Sequence, residues 1–226
     1  MNKYLATSVV ILTSFILFGV LVSPRVNFNV INNNSPIIRI DSSAFSIINS
    51  SSHSQALNQL MVSLTKYGRE VFWPIAIILL FVLGGWTGMK TAVVIALSML
   101  VLIPLGVLAK DIVARPRPSI PKSDFLFPSD SEYAYPSGHA MIVSAGAAVA
   151  LMMFRDTQKR LTISLALSAE AALVCLSRVY VGGHYPLDVI GGILLGVGVS
   201  FIFVGIEKHI ESLMMPIMNK IVKVKR

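Results

Sequence analysis

The sequence predicts an all-α integral membrane protein, a bundle of six transmembrane helices. Of its 226 residues, 54% are hydrophobic and only 13% are charged, whereas a soluble domain carries about 25% charged residues. The mean hydropathy is +0.74. Six apolar segments also approach the length of about 20 residues that a helix needs to cross a bilayer core of about 30 Å. These observations favour one compact membrane domain over a soluble fold.

The six predicted spans are 5–23, 71–88, 91–109, 139–154, 161–179 and 187–206. The first span resembles a signal peptide, but its length and the Pro24 that follows Ser23 favour an uncleaved anchor. The second and third spans are separated by a short turn near Thr87–Lys90, which predicts a tight helical hairpin. The fourth and fifth spans are joined by the charged turn FRDTQKR.

The predicted loop at 24–70 is polar and contains two N-x-S sequons, at Asn33 and Asn49. Its second half, SQALNQLMVSLTKYG, predicts an amphipathic helix on the membrane surface. The apolar residues of that helix recur at helical spacing, at Leu57, Leu60, Met61 and Leu64. Two further loops, 110–138 and 180–186, lie on the same face as this one because an odd number of spans precedes each of them.

The net charge of +8 does not indicate a nucleic-acid partner, because the basic residues are scattered at span ends, where they are typical of topology signals. With both termini cytoplasmic, that side holds ten of the 19 Lys and Arg residues. If Lys110, Arg117 and Arg178 belong to a site, six remain on the other side. We therefore expect cytoplasmic termini, in the plasma membrane. The single cysteine, Cys175, excludes an intramolecular disulfide and a cysteine metal site.

Three polar clusters, KDIVARPRP, YPSGHA and SRVYVGGHYPLD, begin or end predicted spans on the face opposite the termini. Their candidate site residues are Lys110, Arg117, Ser137, Gly138, His139, Arg178, His184 and Asp188. Each basic residue alone has a simpler explanation as a topology signal. Three cations on one rim, however, would repel each other unless an anion joined them. A phosphate group fits, because it carries about −1.5 to −2 charges and matches the planar fork of arginine.

The stretch Pro136–His139 predicts the start of a helix. Ser137 is a candidate N-cap, and Gly138 would let a ligand approach the backbone closely. The free N–H groups of the first turn would then form an anion site. His139 would point at the same place from that turn.

A second helix start follows His184. Pro186 suits the first turn, and Asp188 lies four residues after His184, so its carboxylate is expected to reach and orient the imidazole. This pattern makes His184 a candidate nucleophile and leaves His139 as the acid for the leaving group. Two histidines and an aspartate could also bind a metal, but three nearby cations disfavour a divalent ion.

The clusters match K-x6-R-P at 110–118, P-S-G-H at 136–139 and S-R-x5-H-x3-D at 177–188. In this order and on six spans, they resemble the type 2 phosphatidic acid phosphatase superfamily, which also includes the vanadium-dependent haloperoxidases. The resemblance covers about residues 56–206 and shows no departure at the motif positions.

The resemblance implies a haloperoxidase-like six-helix membrane core that uses no metal or other cofactor. It implies that His184 attacks phosphorus to form a phosphohistidine, with Asp188 orienting it and His139 protonating the leaving oxygen. The residues implied to bind the phosphoryl oxygens are Lys110, Arg117, Ser137, Gly138 and Arg178. The implied substrate is a lipid phosphate or diphosphate held in the bilayer. The small chain resembles compact microbial members, which favours a polyprenyl diphosphate.

The resemblance leaves phosphatidate, phosphatidylglycerophosphate and lipid phosphotransfer as alternatives. An anion transporter is disfavoured because its charges would lie near mid-membrane, and a haloperoxidase is disfavoured because those relatives are mostly soluble. The predicted organisation is an anchor helix and polar extracytoplasmic loop at 1–55, a phosphatase membrane domain at 56–206 and a basic cytoplasmic tail at 207–226. The active site would face the extracytoplasmic side, and the oligomeric state is open.

Overall fold

The computed structural model describes residues 3–26, 35–49, 54–119 and 133–224, with side chains described up to residue 216. All extended regular structure in these residues is helical. The α-helices are α1 (Lys3–Val22), α2 (Pro36–Asn49), α3 (Gln55–Tyr67), α4 (Trp73–Leu83), α5 (Gly85–Val113), α6 (Gly138–Met153), α7 (Gln158–Tyr180), α8 (Pro186–Gly205) and α9 (Glu207–Val224). A π-helical turn, Gly68–Phe72, joins α3 to α4.

Six apolar helices in the described residues correspond to the six predicted spans. Four of them, α1, α5, α7 and α8, are long and apolar enough to cross a membrane alone. The other two are shorter: α6 has 16 residues and α4 has 11. Helix α4 gains length because the π-helical turn continues it into α3 without a break. The predicted fold class, an all-α membrane bundle, is confirmed.

Helix α8 lies at the centre of the bundle and packs against α6 and α1. Small residues allow the close approach to α6, as in other membrane helix pairs. A Cβ atom added to Gly192 would lie 2.5 Å from the Ser137 carbonyl oxygen, and one on Gly196 would meet the Met141 carbonyl. The backbone N–H of Ser137 also donates to the Asp188 carbonyl at 2.9 Å. The first turns of α6 and α8 are therefore held side by side.

The two ends of α1 show how the bundle is oriented. Near its start, Tyr4 and Leu5 pack beside Phe201 and Gly205 at the end of α8. Just after its end, the Ser23 hydroxyl donates to the backbone carbonyl of Val113 at 2.9 Å, at the end of α5. The start of α1 therefore lies at the end of the bundle opposite the polar clusters, as the odd number of spans between this start and each cluster requires.

Several local predictions need correction. The hairpin turn lies at Gly84, with Gly85 at φ 64°, and not at 87–90.

The predicted polar loop contains helix α2, which the sequence pattern did not indicate. The amphipathic helix is present as α3, where it packs against α7. Sequon Asn33 lies outside the described residues, whereas the Asn49 amide donates to the Tyr180 carbonyl at 2.9 Å.

Trp73, the first residue of α4, lies in the interior of the bundle. Its ring is completely buried and occupies the space beside Gly146, where an added Cβ would clash with it. Its indole N–H donates to Glu170 Oε2 at 3.0 Å. The tryptophan therefore joins α4, α6 and α7 below the polar clusters.

Candidate active site

The structure brings all three polar clusters together at one end of the bundle. They lie where α5 and α7 end and where α6 and α8 begin. Helix α5 ends because Ala114 adopts the left-handed conformation (φ 52°), with its N–H bonded to the Lys110 carbonyl at 2.8 Å. The segment after it runs beside the residues that precede α6, since the Ala134 N–H donates to the Arg115 carbonyl at 2.8 Å.

His184 lies in the short loop between α7 and α8 and is only 2% exposed. Its Nε2 atom is 3.2 Å from Nη1 of Arg117, which also donates to the Gly183 carbonyl. Burial, together with the positive charges of Arg178, Arg117 and Lys110, holds the pKa of His184 well below its ordinary value of 6.5. The imidazole is therefore neutral at physiological pH and keeps a lone pair for attack on an electrophile.

Asp188 lies behind His184, as the four-residue spacing predicted, but the geometry differs. Its Oδ2 atom is 3.8 Å from His184 Nδ1, which is longer than the hydrogen bond that we expected. The carboxylate is instead held by Nη1 of Arg115, 2.6 Å from Oδ1, and by the backbone N–H of Tyr185, 2.9 Å from Oδ2.

Arg115 is the main site residue that the sequence analysis missed. It is 3% exposed and pairs with Asp41 on α2, Nη2 to Oδ2 at 2.5 Å, as well as with Asp188. Asp41 also accepts from the backbone N–H of Leu187 at 2.9 Å. The Arg115 guanidinium lies 4.4 Å from the ring centroid of Tyr185. The available signal was a second arginine within KDIVARPRP, but nothing nearby in the sequence indicated its partners.

The first turn of α6 contributes Ser137, Gly138 and His139. Ser137 occupies the N-cap position but makes no side-chain cap bond, and its buried Oγ has no hydrogen-bond partner among the described residues. A buried hydroxyl without a partner is costly unless a ligand or water satisfies it. His139 is 5% exposed, and Arg178 lies close enough for its charge to act on it.

Two charged residues that the sequence analysis did not select, Arg69 and Glu70, also reach this site from the π-helical turn. They form an ion pair with each other. Glu70 Oε2 lies 3.7 Å from His139 Nε2, and Arg69 Nη1 lies 3.5 Å from the position that a Cβ on Gly138 would occupy. In the sequence this pair looks like the charged flank of a span.

A groove of about 680 Å³ leads from this end of the bundle down between α4, α5 and α6. Its polar upper lining includes Arg69, Glu70, Lys110 and Gly138, and its lower lining is apolar, with Ile77, Met99 and Ile103. From Lys110 to Met99 it follows α5 for about 16 Å at 1.5 Å per residue. A second groove of about 750 Å³, between α4 and α7, is lined by none of the predicted site residues.

The partners of Asp188 argue against the alternative that the two histidines and this aspartate bind a metal ion. Its carboxylate is already bonded to Arg115, so a site of two histidines and this aspartate would have to displace a buried guanidinium. In the part of the chain that the structure describes, no group of three or more His, Cys, Asp or Glu residues is arranged to hold a metal ion.

Fold and site together define a membrane-embedded protein with two buried histidines that have several cations near them at one end of the bundle. A sequence profile described as the PAP2 superfamily matches residues 87–210. The chain belongs to this superfamily, and the predicted type 2 phosphatidic acid phosphatase resemblance is confirmed.

Known proteins give the same assignment. The chain is 42% identical over 166 residues to an undecaprenyl-diphosphatase of Sulfolobus acidocaldarius, covering 70% of this chain and 77% of that protein. It is 35% identical over 161 residues to the mouse sphingosine-1-phosphate phosphatase 1, covering 66% of this chain but only 34% of that longer protein.

A solved structure matches the fold. It is the crystal structure of a transmembrane PAP2 type phosphatidylglycerolphosphate phosphatase from Bacillus subtilis, with a TM-score of 0.64 and 22% identity. The match covers 93% of this chain and 98% of that one. The predicted enzyme class, a membrane phosphatase of the lipid phosphatase family, is confirmed by the family and its relatives.

Proposed function

We propose that this phosphatase removes the terminal phosphate of a polyprenyl diphosphate and leaves the lipid monophosphate. The observation that carries the proposal is a groove whose polar end is lined by Lys110 and Gly138 of the site and whose other end is apolar. A diphosphate headgroup would occupy the cationic site, and the isoprenoid chain would lie in the groove beside the bilayer. The identity of 42% to an undecaprenyl-diphosphatase supports the same substrate class.

The transferring phosphoryl group would be bound by the residues that the motifs indicated. Lys110, Arg117 and Arg178 supply positive charge, while Ser137 supplies a hydroxyl and Gly138 a backbone N–H. The buried Ser137 Oγ, which lacks a partner among the described residues, supports this role. Cations in a buried site stabilise the charge that the phosphoryl oxygens carry in the transition state.

In the first step, Nε2 of His184 attacks the terminal phosphorus, and the bond from phosphorus to the bridging oxygen breaks. The leaving lipid phosphate takes the electron pair and a proton from His139, which is left as a neutral imidazole. The product is a phosphohistidine. Arg117, 3.2 Å from Nε2, lies where it would bind the oxygens of the incoming phosphoryl group.

In the second step, water attacks the phosphohistidine after giving a proton to His139, which now acts as the base. The bond from phosphorus to nitrogen breaks, and inorganic phosphate leaves. Asp188, held by Arg115, would stabilise the positive charge on His184 while the phosphohistidine exists. The mechanism is independent of metal because arginine and lysine supply the charge that a metal ion would otherwise provide.

We also propose that the site faces the extracytoplasmic side of the plasma membrane and that both termini are cytoplasmic. Two observations support this orientation. The start of α1 lies at the end of the bundle opposite the site, and the basic turn between α6 and α7 lies at that same end, with Arg155, Lys159 and Arg160.

A lipid phosphate monoester is the second candidate substrate, supported by the 35% identity to a sphingosine-1-phosphate phosphatase. Its leaving group would be an alcohol, so it would depend more strongly on His139 as an acid. A transporter is disfavoured because the cations lie at one end of the bundle rather than at its middle.

The test is a phosphate-release assay on purified protein with a chelator present. The substrates are a polyprenyl diphosphate, the matching monophosphate, phosphatidate and sphingosine-1-phosphate. We expect phosphate from the diphosphate with the highest kcat/KM and no effect of the chelator. No release from the diphosphate would overturn the proposed substrate, and activity lost with the chelator would overturn the metal-independent mechanism.

A further inference from the structure

We propose that Arg69 forms a second phosphate subsite, which binds the lipid-proximal phosphate of a diphosphate and sets the preference for diphosphates over monophosphates. Glu70 is its positioning residue, because it holds the guanidinium in place before substrate binds. This inference rests on the proposed function, since it concerns the part of the substrate that remains on the lipid after cleavage.

The π-helical turn is what directs both side chains toward the site. It lies between α3 and α4, and π-helical turns are frequent at functional sites because they change the direction in which side chains project. On its inner side, Gly68 lies against Val174 and Glu170 of α7 so closely that an added Cβ would clash. The turn is therefore fixed to α7, and the two residues after Gly68 project toward the groove.

Arg69 lies near His139, the acid proposed above, and also lines the groove. Its Nη1 atom is close to the first residue of α6, Gly138, and its charge acts on His139. Its side chain also lines the groove together with Lys110, and 29% of that side chain is exposed. A diphosphate with its terminal phosphorus at His184 and its chain in the groove must place its other phosphate between these two positions.

The chemistry of the two leaving groups explains why this subsite would act on one substrate class only. Cleavage of a diphosphate releases a lipid phosphate, whose negative charge grows as the bond to the bridging oxygen breaks. Arginine binds such a group through two parallel hydrogen bonds. Cleavage of a monophosphate releases an alcohol, which has no second phosphate and nothing for Arg69 to bind.

The ion pair between Arg69 and Glu70 makes the expected loss of diphosphate cleavage on removal of Arg69 larger. Glu70 lines the same polar end of the groove, so in the absence of Arg69 its negative charge would face the incoming diphosphate. With Arg69 present, that charge is balanced and the guanidinium is already oriented. Removal of Arg69 therefore deletes a ligand of the lipid-proximal phosphate and adds repulsion toward that phosphate.

The experiment compares Arg69→Ala with the wild type on two substrates of equal chain length, a polyprenyl diphosphate and its monophosphate. The measured quantity is the ratio of the two kcat/KM values. We expect the ratio to fall by about tenfold to a hundredfold, the loss typical of one charge-assisted interaction. Arg69→Lys should give an intermediate ratio, because lysine keeps the charge and loses the fork.

The matched control is Lys66→Ala, which removes a positive charge from an exposed residue of α3 that does not line the groove. We expect its ratio to equal that of the wild type. An Arg69→Ala enzyme that loses both activities equally, or neither, overturns the subsite and leaves the proposed function standing. A wild-type enzyme that releases phosphate from neither substrate overturns the proposed function before any variant is made.

Discussion

The guanidinium of Arg115 donates to the carboxylate of Asp188 at 2.6 Å, so an arginine, and not the histidine four residues before it, is the direct partner of this aspartate. The other terminal nitrogen of the same guanidinium, Nη2, donates to the carboxylate of Asp41 on α2. A buried cation thus joins the start of α8 to a helix outside the core of the bundle. Asp188 is positioned behind His184 by contacts that come from two distant segments of the chain.

Loss of Arg115 is expected to destabilise the protein. Arg115→Ala would leave Asp41 and Asp188 buried without their cation, and removal of one partner of a buried ion pair costs about 3–5 kcal/mol. We expect a clear fall in Tm, measured by thermal unfolding in detergent. The control is Arg25→Ala, an exposed arginine at the same end of the bundle that donates to a backbone carbonyl. Equal Tm values for the two variants would contradict the role assigned to Arg115.

Replacement of His184 should abolish turnover of every substrate, because it removes the proposed nucleophile. We expect His184→Ala to lose roughly 10⁴-fold or more in kcat, as for other covalent catalysts. Rapid quench with a substrate labelled in the terminal phosphate should trap acid-labile phosphohistidine in the wild type and none in the variant. His209→Ala is the control, since His209 is exposed on α9. If the His184→Ala variant still became labelled with phosphate, the nucleophile would be a different residue.

His139 should matter in proportion to the basicity of the leaving group. A general acid contributes about 10²–10⁴-fold for a poor leaving group, and a nitrophenyl ester needs little protonation. We therefore expect His139→Ala to lose most of its activity on a lipid alkyl phosphate and to keep much more on a nitrophenyl phosphate. The comparison of the two kcat values measures this directly. Equal losses on both esters would contradict the role of His139 as the acid.

The pH dependence should reflect the low pKa of His184. Burial and the charges of Arg178, Arg117 and Lys110 keep the imidazole neutral, with His139 and Asp188 also facing it. The acid limb of kcat/KM, which reports the free enzyme, should therefore lie below pH 6.5. Arg117→Gln removes one cation and should move this limb to higher pH on the same substrate. If the acid limb of the profile did not move, a group other than His184 would be responsible for it.

The same shift has a consequence for stability. The folded state binds fewer protons at His184 than the unfolded state does. The free energy of unfolding therefore falls as pH drops below 6.5, and above that pH His184 no longer lowers it. Thermal unfolding of an inactive but folded reference, His184→Asn, should show a smaller decrease of Tm between pH 7 and pH 5 than the wild type. An identical decrease would contradict the shift.

The groove between α4 and α5 should select for a long lipid chain. Ile103 lines it and is 58% exposed, so Ile103→Trp would fill part of the space. We expect a higher KM for a long-chain diphosphate and little change for a short, water-soluble one. Ile75→Trp makes the same change in the groove between α4 and α7 and should leave both KM values unaltered. An effect of Ile75→Trp alone would place the lipid chain in that other groove.

The sequence by itself determined the membrane class, the six apolar helices and the eight motif residues at one end of the bundle. These features could be predicted because they are local. Hydropathy over about 20 residues reports a span, and proline, serine and glycine at a helix start report its first turn. The order of the motifs also indicated the superfamily, which the profile match confirmed.

Only the tertiary structure decided which charges meet. Arg115 and Asp41 are 74 positions apart, and Glu70 and His139 belong to different helices, so no spacing rule connects them. Trp73 belongs to α4, yet its ring is buried because Gly146 on α6 makes room for it. Burial is the physical reason in the first and the last case: it makes an unpaired charge or an unfilled space costly, and the residue that relieves the cost is the one that the fold brings near.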